Sequence, residues 1–201
     1  MPNQKLLEKF IGYSFKNERL LEEALTHRSY LNENPREGLS HNERLEFLGD
    51  AVLELAVTED LFARFPQYEE GTLTSFRAAL VNYIMLASIA RDLGLDGFLR
   101  LSRGEAKDMG RAREVILANA MEALIGAIYL DSGYASARAF VFRVVMPHLE
   151  KVMRSEAYRD PKSSLQEKVQ AEEKITPTYK VLSEEGPDHA RVFTMGVYFG
   201  E

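Results

Sequence analysis

Three acidic side chains recur at helical spacing within HNERLEFLGD, residues 41–50. Glu43, Glu46 and Asp50 are separated by three and then four residues, so an α-helix would align them along one face. The residues between them are largely apolar, and an apolar helix face does not itself require acidic neighbours. Carboxylates aligned in this way are suited to holding a hard cation.

A further acid lies in ILANAMEALIGAIYLD, residues 116–131, where Asn119 and Glu122 stand three residues apart. An unpaired acid in so apolar a segment would be costly to bury. Oxygen atoms from two helices could instead surround Mg²⁺, which prefers octahedral oxygen ligation and keeps several water molecules. A metal ion held in this way lowers the pKa of a bound water molecule and stabilises charge on a phosphate. The spacing therefore predicts a metal site that acts on phosphate.

The same residues also have structural interpretations that spacing alone leaves open. A capping box places Ser or Thr three residues before Glu, and buried acids often pair with arginine. The alternatives are a capping box between Ser40 and Glu43, an ion pair of Glu46 or Asp50 with Arg44, Arg77 or another buried arginine, an arginine partner for Glu122, and a helix–helix hydrogen bond for Asn119.

The composition is that of an ordinary globular protein with one or two domains: 201 residues, 45% hydrophobic and 28% charged. The absence of cysteine excludes disulfides and thiolate metal sites, and it fits a reducing compartment. The N-terminal residues show no secretory pattern, and no apolar run is long enough to suggest a membrane span. We therefore expect a cytoplasmic protein without membrane association.

The net charge of −6 argues against a uniformly basic surface for nucleic acid. Net charge does not describe local charge, however, and bound cations would offset part of the acidic excess. Basic residues in one loop are candidate phosphate contacts, with a solvated loop as the alternative: Arg100, Arg103, Lys107, Arg111 and Arg113.

Helical patterns dominate the first 150 residues. The boundaries follow from caps, glycines and prolines. The prediction comprises a helix capped by Asn17, a long helix from Ser40 to Phe65, a helix from near Thr72 to Leu93 ended by Gly94, a loop over 94–114, a buried helix Val115–Leu130, and a helix Ala135–Met153 interrupted at Pro147.

The composition of the sequence changes near residues 155–164, where charged residues, proline and serine cluster. A short helix, LQEKVQAEEK, follows. Two strand-like runs, TYKVLSEE and ARVFTMGVYFG, are separated by Gly186 and Pro187. These features predict a domain boundary followed by a small α+β unit.

Several blocks of the chain together resemble the ribonuclease III family, whose members are endonucleases for double-stranded RNA. They occur in the family's order and cover nearly the whole chain: ALTHRSY (24–30), NERLEFLGDAVL (42–53), EGTLTSFRAALVN (70–82), ILANAMEALIGAIYLDSGY (116–134), DPKSSLQEKVQ (160–170) and PTYKVLSEEGPDHARVFTMGVYFGE (177–201).

The resemblance implies an all-α nuclease domain over residues 1–154, a linker over 155–160 and a small α+β double-stranded-RNA-binding domain over 161–201. This second domain would be truncated here to its first helix and first two strands. The family's third strand, its final helix and the Lys-rich start of that helix would lie beyond Glu201. A sheet of two strands without a covering helix is expected to be poorly stable.

Position by position, the resemblance implies that Glu46, Asp50 and Glu122 are metal ligands. Asp50 and Glu122 would be catalytic, and the ion would be Mg²⁺, for which Mn²⁺ can substitute. Glu43 and Glu70 match accessory acids of the same catalytic valley.

Asn119 departs from the family pattern, which usually has Asp as the fourth ligand at this position. An Asn oxygen can still coordinate a hard cation but adds no negative charge, so metal affinity should fall. We expect Asn119 to remain a ligand. Three outcomes stay open: activity with weaker metal binding, a natural variant with normal activity, or impaired cleavage with preserved RNA binding.

The resemblance also implies a homodimer in which each subunit contributes one site, so that the two sites cut the two strands of a duplex. Phe47 matches the aromatic side chain that inserts into the partner subunit. The alternative is an ordinary Phe of the chain's own core, because Phe is commonly buried.

Contacts to an RNA duplex would come mainly through phosphates and 2′-hydroxyl groups. Gln166 and Glu167 match the family's first RNA-binding helix. Gly186, Pro187 and His189 match the loop that enters the next minor groove, although His189 is alternatively a solvated turn residue.

The resemblance implies a metal-dependent endoribonuclease that leaves 5′-phosphate and 3′-hydroxyl ends with short 3′ overhangs. Its expected role is the processing of ribosomal and messenger RNA precursors. One alternative, motivated by Asn119, is a catalytically impaired protein that binds double-stranded RNA or regulates it. Another is a di-iron helical protein, but that site requires Glu-x-x-His pairs, which none of the four histidines supplies.

Overall fold

A computed structural model describes residues 4–35, 38–107, 109–155, 161–187 and 191–200. At Pro161, Ser163, Ser164 and Glu167 it describes the backbone alone. The chain divides into two compact units, Met1–Tyr158 and Arg159–Glu201. Of the predicted linker, only Ser155 is a described residue. The predicted boundaries at residues 154 and 161 stay predictions.

The first unit is entirely helical apart from loops and one isolated bridge between Thr26 and Arg100, within the described residues. Short 3₁₀ helices occupy Leu95–Phe98, Glu105–Lys107 and Met146–His148. The α-helices are α1 (Gln4–Ile11), α2 (Glu18–Ala24), α3 (Arg28–Glu33), α4 (Glu43–Arg64), α5 (Glu70–Val81), α6 (Tyr83–Asp92), α7 (Arg111–Ser132), α8 (Tyr134–Val144) and α9 (Leu149–Ser155).

Most helix ends occur where local chemistry predicts them. Asn17 caps α2 by accepting a hydrogen bond from the Arg19 N–H. Gly94 follows α6 with a φ of 70°, a conformation that glycine adopts without steric cost. The helix predicted over Ala135–Met153 with an interruption at Pro147 is interrupted there by a 3₁₀ turn. These three predictions are confirmed.

The single helix predicted from Thr72 to Leu93 is wrong, because Asn82 divides it into α5 and α6, which are bent by 45°. Asn82 has an extended ψ of 157°, and its side chain accepts a hydrogen bond of 3.0 Å from the Met85 N–H. Asn is favoured at helix N-termini because it can satisfy such an unpaired N–H group. This second cap is hidden within an otherwise continuous apolar pattern.

The capping box predicted at Ser40 is also wrong. The helix α4 begins at Glu43, so Glu43 is its first residue rather than its third. The preceding residue, Asn42, is buried and makes no side-chain cap. Its backbone N–H donates instead to the Thr26 carbonyl at 2.9 Å, and its amide donates to the Ala24 carbonyl at 3.4 Å. The start of α4 is therefore fixed by the end of α2.

The core of the first unit forms where α4 packs along α7. By length and composition alone α7 could cross a membrane, contrary to the expectation from the sequence, as could α5 and α6 taken together. In α7, 61% of the apolar window is buried inside the unit, as is usual for a core helix. Its apolarity is accounted for by its central position.

The second unit contains a helix, α10 (Pro161–Glu173), and an antiparallel hairpin of β1 (Thr178–Glu185) and β2 (Val192–Tyr198). Both strands match the predicted runs. Many apolar side chains of the hairpin are exposed: Val181, Leu182, Val192, Phe193, Met195 and Tyr198. A helical unit followed by a small α+β unit is therefore the architecture, as the sequence predicted.

Candidate active site

The predicted acidic residues meet where α4 crosses α7. Gly49 on α4 and Gly126 on α7 allow the two backbones to touch, since a Cβ atom at either position would overlap the main chain of the other helix. This close crossing brings Glu46 and Asp50 into electrostatic range of Glu122, although the three lie on two helices. The tertiary structure thus assembles the cluster that spacing on each helix suggested.

Glu122 has the most perturbed acidic group of this cluster. Burial, then the negative charges of Asp50 and Glu46, raise its pKa from 4.5 to about 8. The pKa of Glu46 is also raised, first by burial and then by Glu43 and Asp50, while the nearby Asn119 side chain offsets part of this rise. Two neighbouring carboxyl groups therefore have a raised pKa in a partly buried site, as is common at functional sites.

The structural alternatives for these acids do not account for the cluster. Among the residues that the structure describes, none of the ion pairs involves Glu46, Asp50 or Glu122. Arg77, one proposed partner, donates instead to the Thr58 hydroxyl at 3.1 Å. A cluster of acids without arginine partners requires another source of positive charge.

The donor set fits a metal ion by its chemistry. Within the described ranges, no three His, Cys, Asp or Glu side chains converge closely enough to hold one. The available donors are nevertheless all oxygens, three from carboxylates and one from the Asn119 amide, which are the ligands that Mg²⁺ prefers. A divalent cation would also relieve the repulsion that raises the pKa of Glu122. The residues present are therefore suited to the ion.

The two accessory acids lie in different surroundings. The Glu43 carboxylate is 3.7 Å from an Arg28 nitrogen and 3.7 Å from Nδ1 of His41, and it contributes to the raised pKa of Glu46. Glu70 accepts a hydrogen bond of 2.9 Å from the Thr74 hydroxyl at the start of α5. Glu70 is not among the groups that perturb Glu46 or Glu122, so within one chain only Glu43 adjoins the cluster.

The five basic residues predicted to lie in one loop are of two kinds. Arg111 and Arg113 lie in the first turn of α7 rather than in the loop over 94–114, because α7 begins at Arg111. Arg100 is mostly buried and pairs with Glu22 at 2.6 Å, and the buried Arg113 pairs with Asp96. These two are therefore structural residues, and their prediction as phosphate contacts is wrong. The exposed residues of the set remain candidates: Arg103, Lys107 and Arg111.

Phe47 is not a residue of the chain's own core, because its side chain is 83% exposed. Farther along α4, Phe62 is 74% exposed and borders a partly open, mainly apolar cavity of ≈ 380 Å³. The other residues that line this cavity are Thr58, Leu61, Tyr68, Glu70, Leu73, Thr74 and Arg77. Large exposed apolar groups of this kind usually mark an interaction surface.

The predicted RNA contacts of the second unit are described only in part. Gln166 is half-buried on α10, and the hairpin turn contains Gly186, with a φ of 98°, and Pro187. His189 and the side chain of Glu167 lie outside the described residues.

The two glycines at the crossing of α4 and α7, Gly49 and Gly126, were not predicted as site residues from the sequence. The available signal was a glycine inside each of two apolar helices.

Two family models match the chain. The Ribonuclease-III-like model covers residues 17–149, and the double-stranded RNA binding motif covers residues 161–201. Ribonuclease 3 of Carboxydothermus hydrogenoformans is 46% identical over 195 residues, which span 97% of this chain and 83% of that protein. Ribonuclease 3 of Oleidesulfovibrio alaskensis is 48% identical over 187 residues, which span 93% and 81%.

Solved structures show the same similarity. The nuclease domain of ribonuclease III from Campylobacter jejuni, described as flexible in a region involved in dimer formation, has a TM-score of 0.66 and 43% identity. That similarity covers 72% of this chain and 97% of the domain. Dicer from Pichia stipitis is similar over 92% of this chain and 81% of its own, with a TM-score of 0.52 and 26% identity.

Proposed function

The chain belongs to the ribonuclease III family and is an endoribonuclease that acts on double-stranded RNA, and we propose that its hydrolytic site lies where α4 crosses α7. The observation that carries this proposal is the raised pKa of Glu122, a half-buried acid. Burial and two neighbouring acids raise this pKa to about 8. Side chains whose pKa is strongly shifted by burial and by neighbouring charges are concentrated at functional sites.

The residues proposed to hold the metal ion are Glu46, Asp50, Glu122 and Asn119. The chemistry that a bound Mg²⁺, or Mn²⁺ in its place, supplies is activation of water and neutralisation of phosphate charge. Glu122 on α7 is half-buried and Asp50 on α4 is exposed, so the site has a buried side and a side open to a phosphodiester. The expected products carry 5′-phosphate and 3′-hydroxyl ends with short 3′ overhangs.

We propose that two chains form a homodimer, so that two sites cut the two strands of one duplex. Support comes from Phe47, which is 83% exposed, and from the open apolar cavity beside Phe62. An exposed aromatic side chain and an open apolar cavity on the same protein favour a self-complementary, two-fold interface.

The second unit is proposed to add duplex affinity through α10 and the turn at Gly186. Gln166, Glu167, Pro187 and His189 are the further candidates for these contacts. The proposed cellular role is processing of ribosomal and messenger RNA precursors in the cytoplasm. A-form duplexes are recognised largely by shape, so the contacts themselves predict no sequence preference.

Asn119 supports one alternative, a protein that binds double-stranded RNA with little or no cleavage. The deciding experiment is cleavage of an end-labelled RNA duplex in Mg²⁺ and then Mn²⁺ by the natural chain and by Asn119→Asp. Cleavage by both supports an active enzyme with Asn119 as a ligand. Cleavage only after Asn119→Asp, or binding without cleavage by either, supports the alternative.

A further inference from the structure

We propose that His27 and Ser29 are positioning residues for RNA binding. Their hydrogen bonds hold the loop over residues 99–107 beside the start of α4, so that Arg103 and Lys107 can contact phosphates of the duplex. This inference rests on the RNA-cleaving function proposed above.

Ser29 is the centre of the contact. Its hydroxyl oxygen lies 2.8 Å from Nδ1 of His27 and accepts a hydrogen bond of 3.1 Å from the backbone N–H of Ser102. The backbone N–H of Ser29 also donates to His27 Nδ1, at 3.3 Å. Nδ1 is therefore an acceptor, and the Ser29 hydroxyl donates its hydrogen to it, which leaves the oxygen free to accept from the loop.

Backbone hydrogen bonds on both sides of Ser102 extend this contact. Arg100 donates its N–H to the Leu25 carbonyl at 2.8 Å and accepts from the His27 N–H at 3.0 Å. The Arg103 N–H donates to the Glu33 carboxylate at 3.2 Å. The loop is thus attached along the whole segment between the end of α2 and the end of α3.

The same segment is attached to α4, because the Asn42 N–H donates to the Thr26 carbonyl at 2.9 Å. Three charged or titratable groups act on the His27 ring: Glu105 from the loop, and Glu43 and His41 from the start of α4. Burial is the largest influence and lowers the pKa of His27, which favours the neutral ring that the hydrogen bonds require. The basic loop and the acidic helix are therefore both fixed to one short segment.

Only part of the loop's positive charge is available for RNA. Arg100 is held by Glu22, whereas Arg103 and Lys107 are exposed at the position that the Ser29 contact determines. Phosphate contacts of this kind supply affinity and register for the duplex rather than chemistry. Loss of the contact should therefore weaken RNA binding and leave the turnover of bound RNA unchanged.

The first experiment measures the dissociation constant of an RNA duplex in EDTA, so that the result does not depend on cleavage. Ser29→Ala should weaken binding about fivefold, the usual effect of one net hydrogen bond. Ser29→Thr, which keeps the hydroxyl, should bind the duplex as tightly as the natural chain. Ser136→Ala is the matched control, because it removes a hydroxyl on α8 that donates to the Ser132 carbonyl at the end of α7, at 3.3 Å.

The second experiment tests whether the effect passes through the loop. In Mg²⁺ or Mn²⁺, Ser29→Ala should raise KM by the same factor at unchanged kcat. In a variant that already contains Arg103→Gln and Lys107→Gln, Ser29→Ala should have no further effect on binding, because groups that act as a unit are not additive. Ser29→Ala alone, and the pair Arg103→Gln with Lys107→Gln, should each also lower the salt dependence of RNA binding.

Three results would overturn the inference: unchanged binding by Ser29→Ala, an effect that adds fully to that of the loop substitutions, or a loss that falls on kcat alone. Failure of the proposed function gives a different result, namely tight duplex binding without cleavage by the natural chain. The two failures are therefore distinguishable.

Discussion

The backbone of Gly49 lies directly against the carbonyl group of Glu122, so that a Cβ atom at residue 49 would overlap that oxygen. On the other helix, a Cβ atom at Gly126 would overlap the carbonyl oxygen of Leu45. Two residues that carry no functional group thus determine how far apart the acidic side chains of α4 and α7 stand. The site depends on a helix crossing that only glycine permits.

Gly49→Ala should destabilise the protein by about 3 kcal/mol or more, because the added methyl group would have to separate two packed backbones. The measurement is the free energy of unfolding from urea titration. Gly71→Ala is the matched control, since a Cβ atom added there would meet nothing within 4 Å and Ala is the better helix former. A Gly49→Ala protein as stable as the natural chain would contradict the account of the crossing.

Glu122→Gln should abolish cleavage and yet stabilise the metal-free protein at alkaline pH. The pKa of Glu122 rises from 4.5 to about 8 on folding, so the folded state binds a proton that the unfolded state releases between these values. The contribution of Glu122 to stability is therefore greatest below pH 4.5 and declines as the pH rises towards 8.

The corresponding measurement is urea unfolding in EDTA across this range, with Glu172→Gln on α10 as an exposed control. At pH 8 the Glu122→Gln protein should be more stable than the natural chain by roughly 1–2 kcal/mol, a figure reduced because the group is only partly buried. Identical pH profiles for the two proteins would exclude a strongly perturbed Glu122.

Asn119→Asp should raise the affinity for Mn²⁺ about tenfold, because it adds a negative charge beside Glu46. Isothermal titration of the RNA-free protein measures this affinity without reference to activity. The same change should increase the repulsion that acts on Glu46 and so lower the stability of the metal-free protein. Equal Mn²⁺ affinities would indicate that residue 119 does not contribute to the metal site.

Phe47→Asp should convert the proposed dimer to a monomer, raising the dissociation constant at least about thirtyfold, as for a residue that dominates an interface. Sedimentation equilibrium measures the association. Phe10→Asp is a suitable control because Phe10 is also an exposed aromatic residue, 52% exposed, but lies on α1. Dimers that survive Phe47→Asp would show that association uses another surface.

Arg100→Gln should lower the free energy of unfolding by about 3 kcal/mol, because it leaves the Glu22 carboxylate without its partner. Arg103→Gln, in the same loop, should leave stability unchanged because its side chain is exposed. Thermal unfolding of the two variants provides the comparison. Equal melting temperatures would contradict the structural role assigned to Arg100.

Local features were predictable from the sequence because their causes lie within a few residues. The cap at Asn17, the end of α6 at Gly94 and the break at Pro147 each depend on one side chain and its own turn of the backbone. The alignment of Glu46 and Asp50 on one face follows from helical spacing alone. The break at Asn82 was missed because the apolar pattern continues through it.

The sequence by itself therefore determined that a helical unit precedes a small α+β unit, which family the chain belongs to, and which acids share a helix face. Only the tertiary structure decided that α4 begins at Glu43 rather than near Ser40, that Arg100 and Arg113 are held in ion pairs, and that Phe47 faces outward. It also decided that Glu122 is half-buried, and lies close enough to Asp50 and Glu46, to have a raised pKa. Burial and electrostatic repulsion depend on distances between residues that are far apart in the chain, and helical spacing contains no information about those distances.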